Sequence, residues 1–530
     1  MAPPPDNTPV GSEWKPQANP WLIAVAVMLA TFLEVLDTSV ANVALPHIAG
    51  NLSAGTDEST WVLTSYLVSN AIVLPMTGWL AIHFGRKRFL LTCVALFSLA
   101  SAACGAAPSL ALLILARILQ GAAGGALQPI SQAILMESFP PAKRGVAMAI
   151  FGMGVVVAPI IGPTLGGWIT DNYSWRWIFY INLPIGILAF YMCRLFIEDP
   201  PYLDAARKEA GSRIDYIGFS LMALWLATLQ IILDKGQQDD WFSASWIRWF
   251  AAVSVLSMIA FIFWEVRQKQ PLVNLRVLKN RNFAIGTILM TLVGMVLYST
   301  ITLQPLFLQN LMGYSAMDSG MALSPRGLGA IMAIFFVGRV IGKLDSRILI
   351  TCGFVTLAAI SWQLSGLTLE MSISNIIVPN IIMGLAMGLI FVPLTTLTMG
   401  GLPNEQIGNA AGIFNLMRNL GGGIGISVVT TLLSRGAQTH QSIISEHLNP
   451  YNPRFQQYVH QFNQLFSRNG PPDVLNQKTY QALYGLVQQQ AALLSYMDNF
   501  RFLAFICLLC IPAVFLLRRL HVRAAPPGAH

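Results

Sequence analysis

The feature that most constrains this chain is a succession of fourteen apolar runs, separated by short polar breaks. A helix needs about 20 largely apolar residues to cross the hydrocarbon core of a bilayer. Such runs lie near 21–46, 59–82, 89–107, 109–137, 145–170, 177–196, 214–233 and 246–266, then near 283–308, 319–342, 348–367, 376–399, 409–434 and 500–518. Composition agrees, since 11% of the residues are charged against roughly 25% in a soluble domain. The expected fold is an all-α polytopic membrane protein, a bundle of transmembrane helices.

Basic residues alternate from one connection to the next. Arg86, Lys87 and Arg88, then Lys143 and Arg144, then Arg207, Lys208 and Arg213 occupy every second break, and the pattern continues to Arg518 and Arg519. The short connections 47–58, 309–318 and 368–375 hold no Lys or Arg. The positive-inside rule then places both termini in the cytoplasm. Residues 1–20 form a Pro-rich polar tail without the apolar core of a signal peptide, and 197–213 reads as a cytoplasmic loop.

An internal repeat appears at a constant offset of 263 positions. It pairs Gly121 with Gly384, Gly125 with Gly388, Pro140 with Pro403, Gly145 with Gly408, Phe151 with Phe414 and Gly162 with Gly425. Spans four and five therefore match spans twelve and thirteen in parallel orientation. The expected division is an N-terminal six-helix bundle (21–196), two extra helices (214–266) and a C-terminal six-helix bundle (283–518). Parallel halves with a site between them suit a carrier that works by alternating access.

Four motifs carry a family resemblance. Leu36-Asp37-Thr38-Ser39-Val40-Ala41-Asn42-Val43-Ala44-Leu45-Pro46 resembles the first-span signature of the fourteen-span drug:proton antiporters of the major facilitator superfamily. Gly78 to Arg88 is similar to the superfamily's loop between spans two and three, with Ile82 where that loop usually carries an acid. Arg117-Ile118-Leu119-Gln120-Gly121 resembles the fourth-span motif. Gly154 to Pro159, with Gly162-Pro163 and Gly166-Gly167, resembles the fifth-span motif associated with export. Trp175-Arg176-Trp177 and the long loop before the last span are most similar to EmrB-type multidrug exporters of Gram-negative bacteria. The resemblance implies a major facilitator fold and proton-driven export of hydrophobic compounds from the inner membrane. It also implies a periplasmic membrane-fusion adaptor and an outer-membrane channel as partners. Gly78, Gly85, Arg86 and Lys87 would form the cytoplasmic gate loop.

Ionisable groups inside a membrane are functional candidates, because each costs several kcal/mol unless paired or hydrated. Glu34 and Asp37 lie three residues apart and share a helix face. Counting from the outer ends of their helices, Asp37 and Arg117 reach similar depths, about 13 and 12 Å at 1.5 Å per residue. Arg117 is expected to hold Asp37 ionised, while an apolar neighbourhood around Glu34 favours its neutral form and suits it to carry a proton; the competing role is a structural Asp37–Arg117 lock with Glu34 exposed to a wet cavity. Asn380 occupies the repeat-equivalent of Arg117, so coupling is expected in the first half alone. Arg326 and Arg418 read as residues that brace helix ends or satisfy backbone carbonyls.

On span five, Pro159 and Pro163 remove helix hydrogen bonds, while Gly154, Gly162, Gly166 and Gly167 permit close helix approach. Together they predict a bendable, tightly packed gating segment. Gly421 to Gly425 would mirror it, and no Walker lysine follows to make it a phosphate loop. A substrate cavity should be apolar with a few polar anchors. Tyr66, Asn70, Gln128, Gln132, Gln304, Asn415 and Asn419 are the candidates, interhelical hydrogen bonding being the competing role for each.

Residues 435–499 read as one periplasmic loop. Within it, Phe455, Tyr458, Val459, Phe462, Leu465 and Phe466, and then Tyr480, Leu483, Tyr484 and Val487, outline two short amphipathic helices. They would dock an adaptor or lie on the bundle as a cap. The six cysteines form no His-flanked metal pattern, no cofactor is expected, and no basic stripe suggests nucleic acid. The partners expected are lipid, protons and a small amphipathic substrate. Alternatives are an exporter dedicated to a fatty acid or secreted metabolite and an antiporter-like respiratory subunit. The latter needs intramembrane lysines, and here every lysine lies outside the apolar runs.

Overall fold

The computed structural model describes residues 16–140, 143–200, 203, 215–268, 271–341, 344–372, 374–449, 451–466 and 472–519. Most of the 1–20 tail and of the 197–213 connection lies outside them. Fourteen helices among the described residues are long and apolar enough to cross a membrane. They are α1 (Pro20–Asn51), α2 (Trp61–Phe84), α3 (Arg86–Ala106), α4 (Leu110–Ser138), α5 (Arg144–Asn172), α6 (Trp177–Phe196), α7 (Tyr216–Lys235) and α8 (Ser245–Arg267). The rest are α9 (Arg281–Leu311), α10 (Met317–Val340), α11 (Ser346–Leu364), α12 (Ser374–Met399), α13 (Asn404–Glu446) and α14 (Pro472–Phe515).

Local chemistry sets several of the starts. Pro20 opens α1 behind Asn19, whose side chain accepts from the Trp21 amide at 3.0 Å. Asn280 and Asp345 cap α9 and α11 in the same way. Asp215 caps α7 and also accepts from the Trp264 indole at 2.9 Å, which ties the start of α7 to the end of α8.

The bundle has one face bearing the start of α1 and the end of α14, here called the termini face. There Gln17 donates to Glu198 after α6, and Arg519 pairs with Asp345 at 2.5 Å. Helices α1–α6 and α9–α14 form the two halves. The extra pair joins both, because Asp234 and Lys235 on α7 bond Thr64 and Thr60 near the start of α2, while Trp241 donates to Thr431 on α13 at 3.0 Å.

Each half contains tight helix pairs. In the first, Pro163 lacks the N–H that would bond the Pro159 carbonyl, and Ser39 on α1 donates to that carbonyl at 3.0 Å. A Cβ at Gly162 would lie 2.3 Å from the Ser39 hydroxyl. In the second half α9 lies against α13, and a Cβ at Gly421 would come within 2.0 Å of the Thr291 carbonyl. Despite its two internal prolines, α5 is one continuous helix.

One expectation changes substantially. Residues 435–499 are not a loop with two separate short helices. Helix α13 runs on to Glu446, and the second predicted helix is the first part of α14, which begins at Pro472. At 1.5 Å per residue these rods measure about 64 and 66 Å, twice the roughly 30 Å of a hydrocarbon core. Their extensions pair with each other, Ser495 donating to the Leu433 carbonyl at 2.8 Å and His440 contacting Asp498 at 2.8 Å. The helix Pro453–Phe466 does form, and it packs on α14. Hydropathy missed the extensions because their exposed faces are glutamine-rich. The resulting lobe stands on the face opposite the termini.

Candidate intramembrane polar site

Three polar clusters lie buried between the helices. In the first, Arg117 on α4 donates to Asp37 on α1 at 2.6 Å and to the Val62 carbonyl of α2 at 3.1 Å. Both side chains are fully buried. The second carboxylate oxygen of Asp37 accepts from Gln120 at 2.8 Å and from Asn182 on α6 at 2.7 Å. The guanidinium also lies 4.1 Å over the Tyr66 ring, a cation–π contact. Sequence reading overlooked Gln120 and Asn182. Gln120 was findable, since it sits one helical turn after Arg117; Asn182 arrives from another helix and carried no such signal.

The second cluster surrounds Glu34. It accepts from Asn70 on α2 at 3.1 Å and from Gln128 on α4. The neighbourhood is therefore lined with amides rather than apolar, a correction to the expectation from sequence. Gln128 is placed by a break in α4, whose helical segments end at Gly124 and resume at Leu127. Pro129 contributes to that break, because it cannot donate to the carbonyl four residues earlier. The Gln128 carbonyl oxygen accepts from Arg418 on α13, which also donates to Asn419 at 3.3 Å. One turn away, Asn415 donates to Gln132 at 2.7 Å. Glutamines of the first half thus meet Arg418 and Asn415 of the second.

The third cluster belongs to the second half alone. Arg326 on α10 donates to Gln304 at 2.5 Å, to Asn380 at 3.2 Å and to Thr300 at 3.4 Å. Neither Arg326 nor Arg418 braces a carbonyl, as sequence suggested; their partners are side-chain amides and a hydroxyl. Gln304 is accordingly separate from the other predicted cavity residues.

Nearer the termini face, Gly85 adopts φ +85°, a left-handed conformation that favours glycine. The turn lets the Lys87 amide donate to Asp199 at 2.8 Å. Arg86 forms a buried ion pair with Glu137 on α4. The acids that meet this loop are therefore Asp199, just after α6, and Glu137 on α4, not a residue at position 82. A charged residue at the end of an apolar run was the signal for Glu137. Close beside it, Gly78 on α2 abuts the backbone of Asn409 on α13, where a Cβ would lie 2.7 Å away. Phe151 stacks on Phe391 between α5 and α12. Gly154 and Gly166 face α1, and Gly167 is buried.

Residues 27–426 match the family model described as Major Facilitator Superfamily. The chain belongs to that superfamily. It is a multi-pass membrane transporter built on the major facilitator fold. Among curated superfamily relatives, the multidrug export protein EmrB of Haemophilus influenzae is 40% identical, covering 84% of this chain and 86% of that protein. The fatty acid resistance protein FarB of Neisseria gonorrhoeae is 41% identical over 81% of this chain and 84% of that protein. EmrB of Escherichia coli K12 is 40% identical over 84% of this chain and 86% of its own length. Among solved structures, human MFSD10 (TETRAN), described as an organic anion transporter, superposes with a TM-score of 0.57. That match covers 93% of this chain and 100% of the human one at 14% identity, so it speaks to the superfamily fold alone.

Proposed function

We propose that this transporter is a proton-driven exporter of hydrophobic or amphipathic toxins, working by alternating access in the bacterial inner membrane. The termini face is then cytoplasmic, in keeping with the basic loops, and the lobe is periplasmic. The exporter reading draws support from the EmrB relatives, multidrug export proteins at 40% identity.

The observation that carries the coupling is the contrast between the two carboxyls on α1. Protonating Asp37 would strip the counter-ion from a fully buried arginine, at a cost of about 3–5 kcal/mol. Protonating Glu34 breaks no ion pair, because its partners are the amides of Asn70 and Gln128. Glu34 is thus the proton carrier in this reading, and Asp37–Arg117 fixes α4 against α1. The Pro159–Pro163 segment of α5 and the Gly78–Lys87 loop serve as hinge and cytoplasmic gate.

The test uses inverted vesicles with an imposed proton gradient. Glu34→Gln should abolish substrate-induced proton efflux while leaving the protein folded. A Glu34→Gln chain that still dissipates the gradient on adding substrate would overturn the assignment.

A second reading, export dedicated to a fatty acid, is favoured by the likeness to the gonococcal fatty acid resistance protein. A substrate panel in an efflux-deficient strain separates narrow from broad cargo. We also propose that the lobe meets a membrane-fusion adaptor, and through it an outer-membrane channel. Support comes from a groove of about 340 Å³ lined by Phe455, Tyr480, Leu483 and Tyr484. Photo-crosslinking from Tyr484 in cells should capture a single-span periplasmic protein; labelling confined to the transporter itself would identify the lobe as a self-packed cap.

A further inference from the structure

The two extra helices, α7 and α8, are joined by a turn with a strained backbone. Asp240 and Trp241 follow one another with φ 51° at each. This left-handed conformation is uncommon outside glycine and an outlier for a residue as bulky as tryptophan. Such strain persists only where the surroundings hold it, and it collects at parts of proteins that switch. Here the holding contacts are specific. The Trp241 amide donates to the Gly236 carbonyl at 2.7 Å, and the ring covers Gly236 so closely that a Cβ there would lie 2.8 Å from it. The indole N–H points outward from the turn to α13, donating to Thr431 at 3.0 Å and sharing itself with Gln237 at 3.2 Å.

That bond crosses between the halves, because α7 is fastened to the first. Asp234 and Lys235 bond Thr64 and Thr60 near the start of α2, and the Lys235 ammonium lies 5.7 Å from the Trp61 ring centroid. Against α13 the body of α7 makes ordinary van der Waals contact, with Leu233 and Gln230 at 3.5 and 3.6 Å from the place of a Cβ on Gly423. The exposed Asp240 and Arg435 stand 3.8 Å apart, a surface pair that contributes little. Trp241 is therefore the directed attachment of the turn to the second half.

Helix α7 also sits where α2 and α13 part. Over Leu74–Phe84, α2 packs on α13, and a Cβ at Gly412 would lie 2.9 Å from the Leu74 carbonyl. Over Trp61–Val73, α2 packs on α7. Direct contact between the halves toward the termini face is completed by Gly152 on α5, which meets Phe391 and Val392 on α12. Rocking that opens the termini face draws the lobe-side ends of α2 and α13 together. Helix α7 cannot then keep its contacts with both.

We propose that Trp241 is a latch: α7 and α8 travel with the first half, and the Trp241–Thr431 bond forms while the carrier is shut at the termini face and breaks whenever it opens there. This rests on the alternating access proposed above and gives the extra helix pair a part in it. The left-handed turn aims the indole while the latch is closed. Relief of its strain on release offsets part of the lost bond, so the latch holds without locking.

The test reads the exposure of a buried seam residue in the full chain, held in lipid nanodiscs. Val392, 1% exposed beside Gly152, is replaced in the reporter Val392→Cys, and its modification by a charged maleimide is followed by peptide mass spectrometry. Trp241→Phe keeps a ring and deletes the donor, and should speed modification about 2- to 10-fold, the range of one neutral hydrogen bond. Thr431→Val deletes the acceptor and should act alike, and combining the two should add nothing further. The native Cys93, Cys193, Cys507 and Cys510, buried within the halves, should keep their rates. Equal acceleration at those cysteines would mean general loosening and would overturn the latch, as would additive effects of the two substitutions. A reporter modified at one rate in every chain overturns the latch and leaves alternating access standing. A reporter that is never modified in any chain overturns both.

Discussion

In the first half, Arg117 on α4 donates to a carboxylate, Asp37, which also accepts from the amides of Gln120 and Asn182. In the second half, the positions 263 residues on are Asn380 and Thr300, and Leu297 stands where Glu34 would be. The cation there has moved to α10 as Arg326, and it bonds the very residues that replaced the pair, Asn380 and Thr300. One half therefore buries a neutralised ion pair and the other a cation dissolved in neutral dipoles. The difference teaches that the repeat preserves a polar node at the same depth while exchanging how its charge is balanced. Among the described residues, the carboxylates at this node, Glu34 and Asp37, belong to the first half.

Removing the balance in the first half should have the largest effect. Asp37→Asn leaves Arg117 buried without a counter-ion and should cost about 3–5 kcal/mol, read as a fall in melting temperature in detergent. Thr300→Asp, at the matching position of the second half, should leave the melting temperature unchanged or raise it. If the two variants lose stability equally, the contrast between the halves is wrong.

The helix pairs offer the next comparison. Gly421→Ala drives a methyl against a backbone carbonyl that cannot rotate away, and should cost about 1–3 kcal/mol. Gly162→Ala meets the Ser39 hydroxyl, which can change rotamer, but also the Ser39 Cβ at 2.5 Å, which cannot, so it too should cost about 1–3 kcal/mol. Thermal melting of the two variants side by side decides whether the second seam is the more rigid.

Gln120→Leu should produce the smallest change, about 1–2 kcal/mol, because it deletes one neutral partner each of Asp37 and Arg117 and keeps the ion pair and Asn182. Gln304→Leu, which takes from Arg326 a partner 2.5 Å away, should cost more than Gln120→Leu. The reverse order would mean that the dipole-solvated cation depends on its shell less than the ion pair does.

Much of this architecture was legible from sequence. Run length alone yields fourteen spans, and the offset of 263 exposes the halves before any coordinates are considered. Asp37 and Arg117 could be matched in depth by counting residues from the helix ends. The Glu34–Gln128–Arg418 link could not, because its members are separated by 94 and 290 residues and its geometry depends on a local break in α4. Sequence spacing fixes depth along a helix; it does not fix which neighbour lies across the seam. The extensions of α13 and α14 were missed for a different reason. Hydropathy marks where a helix leaves lipid, and these helices leave it without ending.

That continuity makes the lobe a pointer. Glu446 stands 28 residues beyond Arg418 on a single rod, about 42 Å along the axis. A tilt of about 10° at the level of Arg418 sweeps the tip through roughly 7 Å, given that length. The extension of α14 bonds to the rod and travels with it. Any reorientation of the second half would therefore reach the tip of the lobe as a stroke several times larger than the adjustment near the buried arginine.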